Sequence, residues 1–362
     1  MISGCSLKLP FAGVRARLLI LLASLLTVGG CQTAAYYSQA MMGQGRMLCG
    51  RKSIEKMVAD PAQPRALADK LRLILELREY AQTELGLDPG GNYLKYKTLD
   101  RKFALWVVYA TPEFDVNLKS WWYPVVGQFT SRGWFSEDGA KRYADRLRRQ
   151  GLDVEVGGAR AYSTLGWFDD PVLSTFIRNP ETDLAELIFH ELTHRRLFVP
   201  GDTTFNESFA TATAQAGVLR WLKAKGDDGA RESYQDECRR EAAFVQLAFE
   251  ARDALTSLYA SSHPDETKRK RKAAILDGLK KQLLDLSRNA PGYSGIARWA
   301  KRPINNATLS AIAVYYRQVP AFERLLEKCG GDLEEFFAEV EELSKLSKDE
   351  RMKRMEMLTR DN

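Results

Sequence analysis

The stretch LIFHELTHRRLFVPGDTTFNESFATA, Leu187–Ala212, constrains the fold more than any other part of the chain. The 362 residues include only three histidines, and two of these, His190 and His194, stand four apart with Glu191 between them. Residues four apart on an α-helix share a face, so both imidazoles can reach one ion while Glu191 projects beside them. The surroundings read as helix: AELIFHELTHRRLF has helical apolar spacing, and NPETDLAEL supplies Thr182 as a cap with Ala185, Glu186 and Leu187 in the first turns. After FVPGD, the segment TTFNESFATATAQAGVLRWL reads as a second helix capped by Thr203 or Thr204, with Glu207 in its first turn. Its run of small residues, Ala210, Thr211, Ala212, Thr213 and Ala214, lets the two helix axes come close.

The pattern H-E-x-x-H points to zinc held by the two histidines, with the glutamate as general base of a metal-dependent peptide hydrolysis. A catalytic zinc takes three protein ligands and leaves the fourth position to water, so a third ligand is required. His263 stands 69 residues past His194 in YASSHPDET, which reads as a loop at the end of a helix. The chain lacks the H-x-x-G-x-x-H extension of the metzincins. Glu207 is therefore the expected third ligand of a single zinc ion, with Asp202 as the fallback. Such an ion lowers the pKa of its water toward ~7, and Glu191 takes the proton as that water attacks a carbonyl carbon. The oxyanion then formed needs a donor, and Tyr162 in ARAYSTLGWF and Tyr315 in NNATLSAIAVYYRQVPAF are the candidates.

At the N-terminus, Lys8, Arg15 and Arg17 precede the apolar run Leu18–Val28. Eleven helical residues span only about 16 Å, too short for an ordinary bilayer crossing but suited to the core of an export signal. The run ends V-G-G-C and resembles a bacterial lipobox, which implies cleavage before Cys31 and lipidation of that cysteine. A non-lipidated signal peptide and an uncleaved anchor are the alternatives. With Gln32 rather than aspartate next, the sorting rule that this resemblance brings places the chain on the outer membrane facing the periplasm. Cys49, Cys238 and Cys329 then remain, so at most one disulfide can form and disulfides do not carry the fold.

The 45% hydrophobic and 28% charged composition is that of a globular protein. A formal charge of +6 is modest for this length and comes partly from TKRKRKAA, Thr267–Ala274. That run reads as a solvated helix face or a weak attraction to anionic lipid, with no nucleic-acid partner expected. SIEKMVADPAQPRALADKLRLILELREYAQTELGL reads as a helix, a turn and a longer helix. FALWVVYATPEF and WWYPVVGQFTSRGWF read as strands of a small sheet. SEDGAKRYADRLRRQG is a capped helix that returns to the strand LDVEVGGARAYSTL, and from Pro171 onward nearly everything reads helical. The charged tail 346–362 shows little buried-face pattern and is expected to fray. This is one α+β domain over 31–345, predominantly helical, with a small mixed sheet before the motif helix.

The segments WWYPVVGQFTSRGWF, AYSTLGWFDDPVLSTF, ELIFHELTHRRLFVPGDTTFNESFATA and NNATLSAIAVYYRQVPAFERLL resemble the bacterial putative aminopeptidase family of predicted zinc peptidases, often lipoproteins. The resemblance runs from about Tyr36 to Leu326. It implies a zincin-like, gluzincin-type fold in which a strand at ARAYSTLG pairs with extended peptide. Carried over, His190, His194 and Glu207 are metal ligands and Glu191 is the base, although the 12 residues between His194 and Glu207 are fewer than in the best-known gluzincins. An aminopeptidase also needs an acidic group for the substrate's free amine, and Asp169 and Asp170 in GWFDDP can serve. A non-catalytic envelope scaffold or binding lipoprotein, and a zinc hydrolase of non-peptide amides, are the competing readings. Oligomeric state is not legible.

Overall fold

A computed structural model describes residues 31–123, 127–161, 168–289 and 294–360. The expected signal, 1–30, and the oxyanion candidate Tyr162 lie outside the described residues, as do residues 162–166 of the expected ARAYSTLG strand, of which Ala159 ends a described strand. Helix α1, Cys31–Leu48, belongs with the residues up to Gly50 to one compact unit, and the chain from Arg51 forms another. No helix among the described residues is long and apolar enough to cross a membrane.

The second unit begins with β1 (Lys52–Ser53), α2 (Ile54–Ala59), α3 (Arg65–Thr83) and β2 (Lys95–Lys97). Then come β3 (Leu105–Pro112), the hairpin β4–β5 (Trp121–Tyr123 and Gly127–Phe129), β6 (Arg132–Trp134), α4 (Glu137–Arg149), β7 (Leu152–Ala159) and β8 (Val172–Leu173). The helices α5 (Glu181–Arg196), α6 (Thr203–Ala224), α7 (Asp228–Ala260) and α8 (Asp265–Asn289) follow. The chain closes with α9 (Ser294–Ala300), α10 (Asn306–Tyr316), α11 (Val319–Lys328), α12 (Leu333–Lys345) and α13 (Lys348–Arg360). The architecture is mostly helical α+β, as the sequence predicts.

The β-branched and aromatic run forms β3, which pairs antiparallel with β6 on one side and β7 on the other, Val108 opposite Val156 and Trp106 opposite Trp134. Val108, Tyr109, Ala110 and Thr111 are all buried, so both faces of this strand are covered; α4 and α10 are the helices packed on it. The second sheet is small, with β2 antiparallel to β1 and parallel to β8. Asn306, fully buried at the start of α10, holds helices and sheet together. Its amide nitrogen lies 2.9–3.2 Å from the carbonyls of Pro112, Glu113 and Asp115, its side-chain oxygen accepts from Tyr259, and its backbone N–H donates to Asp153.

Helices α5 and α6 pack side by side, and Gly217 shows why small residues are needed there. A Cβ at this position would come within 3.0 Å of the Phe189 ring and 2.9 Å of Leu85. On its other side α6 presents Phe205 and Phe209, one turn apart, to Phe322 of α11, and Phe209 also to Phe336 and Phe337 of α12, with ring centroids 5.1–6.0 Å apart. Glu207, two residues from each phenylalanine, is thereby turned about 160° away, toward α5.

Four local expectations are corrected. Helix α5 starts after Pro180, so Thr182 lies inside its first turn; α6 is capped by Asp202, whose side chain accepts from Phe205 N–H, rather than by Thr203 or Thr204. The tail does not fray: α13 buries Arg351, Met355 and Leu358. The basic run in α8 is partly engaged with the sheet region, Arg269 with Glu113 and Lys272 with Asp153.

Candidate metal centre

Helix α5 places His190 and His194 on one face, rings 4.9 Å apart and nearly perpendicular. Glu207 reaches them from α6. Its Oε2 lies 3.2 Å from His190 Nε2 and 3.7 Å from His194 Nε2, and one ligand atom from each of the three residues falls within 4.8 Å of the others. An ion held tetrahedrally at ~2.0–2.1 Å from each ligand separates the ligand atoms by about 3.3–3.4 Å. The two observed separations bracket that figure, and a nitrogen, nitrogen, oxygen donor set suits zinc. His194 is closed off, 4% exposed in its side chain, while His190 and Glu207 are open to about a fifth, so the cluster is sealed behind and accessible in front.

Burial alone would raise the Glu207 carboxyl, but the flanking His194 and His190 outweigh it and hold the group well below the ordinary carboxylate range. For His194 burial works against the charge, and Glu207 and Glu191 more than compensate and raise it. His194 Nδ1 is buried with no hydrogen-bond partner among the described residues. Against the His194 ring lies Phe198, centroids 6.4 Å apart, stacked in turn on Phe129 of the β4–β5 hairpin.

Tyr315 of α10, one of the two expected oxyanion donors, comes to this site. Its carbonyl accepts from Ser208, next to Glu207, and its hydroxyl shares a hydrogen bond with Tyr109 of β3. The Tyr109 oxygen first, then the Glu207 carboxylate and burial, push the Tyr315 phenol well above its ordinary value; burial pushes Tyr109 up to about 12. Both phenols keep their protons at neutral pH. His263 is elsewhere, beside Arg271, and Asp202 is taken up by Arg351. Asp169 is exposed and lies over Gly91, and Asp170 is buried with its backbone bonded to Asn92 and Tyr93.

Sequence reasoning passed over two groups. Tyr93 is the one non-glycine residue among those described with positive φ, at 60°. It is buried, and burial, then Glu191 and Asp170, raise its phenol well above the ordinary range. The loop that holds it is pinned by Arg78, which donates to the carbonyls of Gly90 and Asn92, and by Arg195 of α5, which donates to that of Asp88. The turn-rich string D-P-G-G-N-Y was the available signal. The second group lies one turn before His190, where Glu186 accepts from Tyr234 of α7 at 2.9 Å. Burial first, then Glu241, push the Glu186 carboxyl up to about 7. Its place four residues before His190 was readable, whereas its partners on α7 were not.

A mostly helical α+β protein in which two neighbouring helices bring two imidazoles and a carboxylate to one point is the class that fold and site define. The chain belongs to the putative aminopeptidase family, whose sequence model matches residues 35–355. Neither a curated protein nor a solved structure matches the chain.

Proposed function

We propose that the protein is a zinc-dependent peptidase of the aminopeptidase kind, with His190, His194 and Glu207 holding one ion and Glu191 as general base. The observation that carries this is the convergence of those three ligand atoms within 4.8 Å on the H-E-x-x-H helix and its neighbour, in a chain of aminopeptidase family. When bound, zinc supplies Lewis acidity and brings a water to a pKa near ~7. Glu191 is the residue that would take a proton from the attacking water and hand it to the leaving amine. Tyr315, which keeps its hydroxyl proton at neutral pH and faces Glu207 and Glu191, donates to the developing oxyanion. The substrate is a peptide whose free amine Asp169 or Asp170 receives. We further propose a zincin-like relationship for the fold, and that the mature chain is tethered by a lipid on Cys31 at the outer membrane, facing the periplasm.

Zinc content and peptide hydrolysis of the chain from Gln32 onward test this together. Wild type should carry close to one zinc, lost in His194→Ala and in Glu207→Ala. Glu191→Gln should keep the metal and lose hydrolysis, and Tyr315→Phe should keep the metal and lose on the order of 10²–10³ in kcat. A wild type that takes up no zinc when supplied with it overturns the proposal.

A further inference from the structure

Asp202 stands in the loop between the two ligand-bearing helices, yet it turns away from the metal centre. Its Oδ2 accepts from Arg351 Nε at 3.0 Å and Nη2 at 2.8 Å, a two-pronged pair formed across 149 residues of chain. Both side chains are almost wholly buried, 4% and 8% exposed. The third guanidinium nitrogen donates to the carbonyls of Ser344 and Leu346, at the end of α12, and the guanidinium carbon lies 5.0 Å from the centre of the Phe205 ring. One side chain of α13 therefore joins the α12–α13 turn to the cap of α6. Lys348 adds a bond to the Gly201 carbonyl.

A buried ion pair is weak support for stability, because desolvation offsets its attraction and apolar residues of the same size commonly do as well. What such a pair fixes well is geometry, since a guanidinium fork meets a carboxylate in a restricted set of orientations. The geometry fixed here is the start of α6, and Glu207 follows five residues later. A carboxylate carried about 6 Å from a helix axis moves by on the order of 2 Å when the helix turns by 20°. A metal ligand tolerates a few tenths of an ångström.

We infer that Arg351 is a positioning residue for the metal centre: acting through Asp202, it fixes the rotation of α6 that brings Glu207 to His190 and His194. This rests on the metal-centre reading proposed above. Asn206, bonded through its side chain to both backbone groups of Val199, and Ser208, bonded to Tyr315, anchor the same turn from other sides. Of these anchors Arg351, buried and with Lys348 beside it, brings in the C-terminal helix.

The test is zinc affinity, by competition with a chromophoric chelator, on the chain from Gln32 to Asn362. Arg351→Ala is compared with Met355→Ala, which removes a buried side chain from the same helix without touching Asp202, and with the double variant Arg351→Met/Asp202→Asn, which removes both charges while asparagine keeps the cap. Arg351→Ala and the double variant should bind zinc 10–100-fold more weakly. Met355→Ala should melt at a lower temperature and bind zinc within about twofold of wild type. Wild-type affinity in the folded double variant overturns the inference, and so does an equal loss in Met355→Ala at matched stability. A wild type that binds no zinc overturns the metal-centre reading itself and the inference with it, a result distinct from zinc bound equally by all the variants.

Discussion

Two glutamates within reach of His190 behave in opposite ways. The histidines hold Glu207 well below its ordinary 4.5, so its contribution to stability is complete above that value and fades only in strong acid. Glu186 goes the other way, up to about 7. Between pH 4.5 and 7 the folded protein keeps a proton on Glu186 that the unfolded chain has released, and stability therefore falls as pH rises through that window. A displacement of this size corresponds to about 3 kcal/mol. Glu186→Gln, which can still accept from Tyr234, should match wild type at pH 4.5 and exceed it by up to about 3 kcal/mol at pH 8 in metal-free protein. Thermal or urea unfolding at the two pH values checks this, and equal stabilities at pH 8 would refute it. At this scale the sequence is explicit where chemistry dictates spacing: His190, Glu191 and His194 are legible because only one helical pitch makes use of them. Glu186 is not, because its altered acidity depends on burial and on Glu241, which approaches from α7.

At the scale of elements, α6 is tuned to lie close to α5. Gly217 sits where a side chain would meet Phe189 and Leu85, so Gly217→Leu should force the two helices apart and cost about 1–3 kcal/mol. Because Glu207 rides on the same helix, zinc binding should weaken along with the melting temperature, while leucine at the open Gly278 of α8 leaves both nearly unchanged. The elements themselves were largely readable: β3, α4 and the pair α5–α6 stand where alternation, caps and helical spacing put them. Their edges were less so. Thr203 and Asp202 are both good caps, and the choice between them is made by the entering chain, which Asn206 holds through Val199. The tail was misread for a related reason. In KDERMKRMEML the buried positions Arg351, Met355 and Leu358 have helical spacing, but the first is a charge, and only its distant partner Asp202 makes it an interior residue.

For the molecule as a whole, one buried amide makes the most bonds, among the described residues, at the joint between sheet and helices. Asn306 serves three carbonyls at and just past the end of β3 and one hydroxyl of α7. Asn306→Ala removes the donor shared by these carbonyls and the acceptor of the Tyr259 hydroxyl at a fully buried position and should cost about 3 kcal/mol, whereas Tyr259→Phe, which removes one donor, should cost about 1 kcal/mol. Denaturant unfolding of the two variants against wild type measures the difference, and equal losses would show that the amide is no such joint. The contact between Arg351 and Asp202 has its own consequence, which concerns the order in which the protein is made. During synthesis the two histidines and Glu207 emerge well over a hundred residues before α13, while the cap of the helix that carries Glu207 still has a carboxylate without its counter-charge. If the proposed metal centre is right, the chain passes through much of its manufacture with the ligands present and their frame unfinished, and it holds an ion tightly only once one of its last helices has arrived.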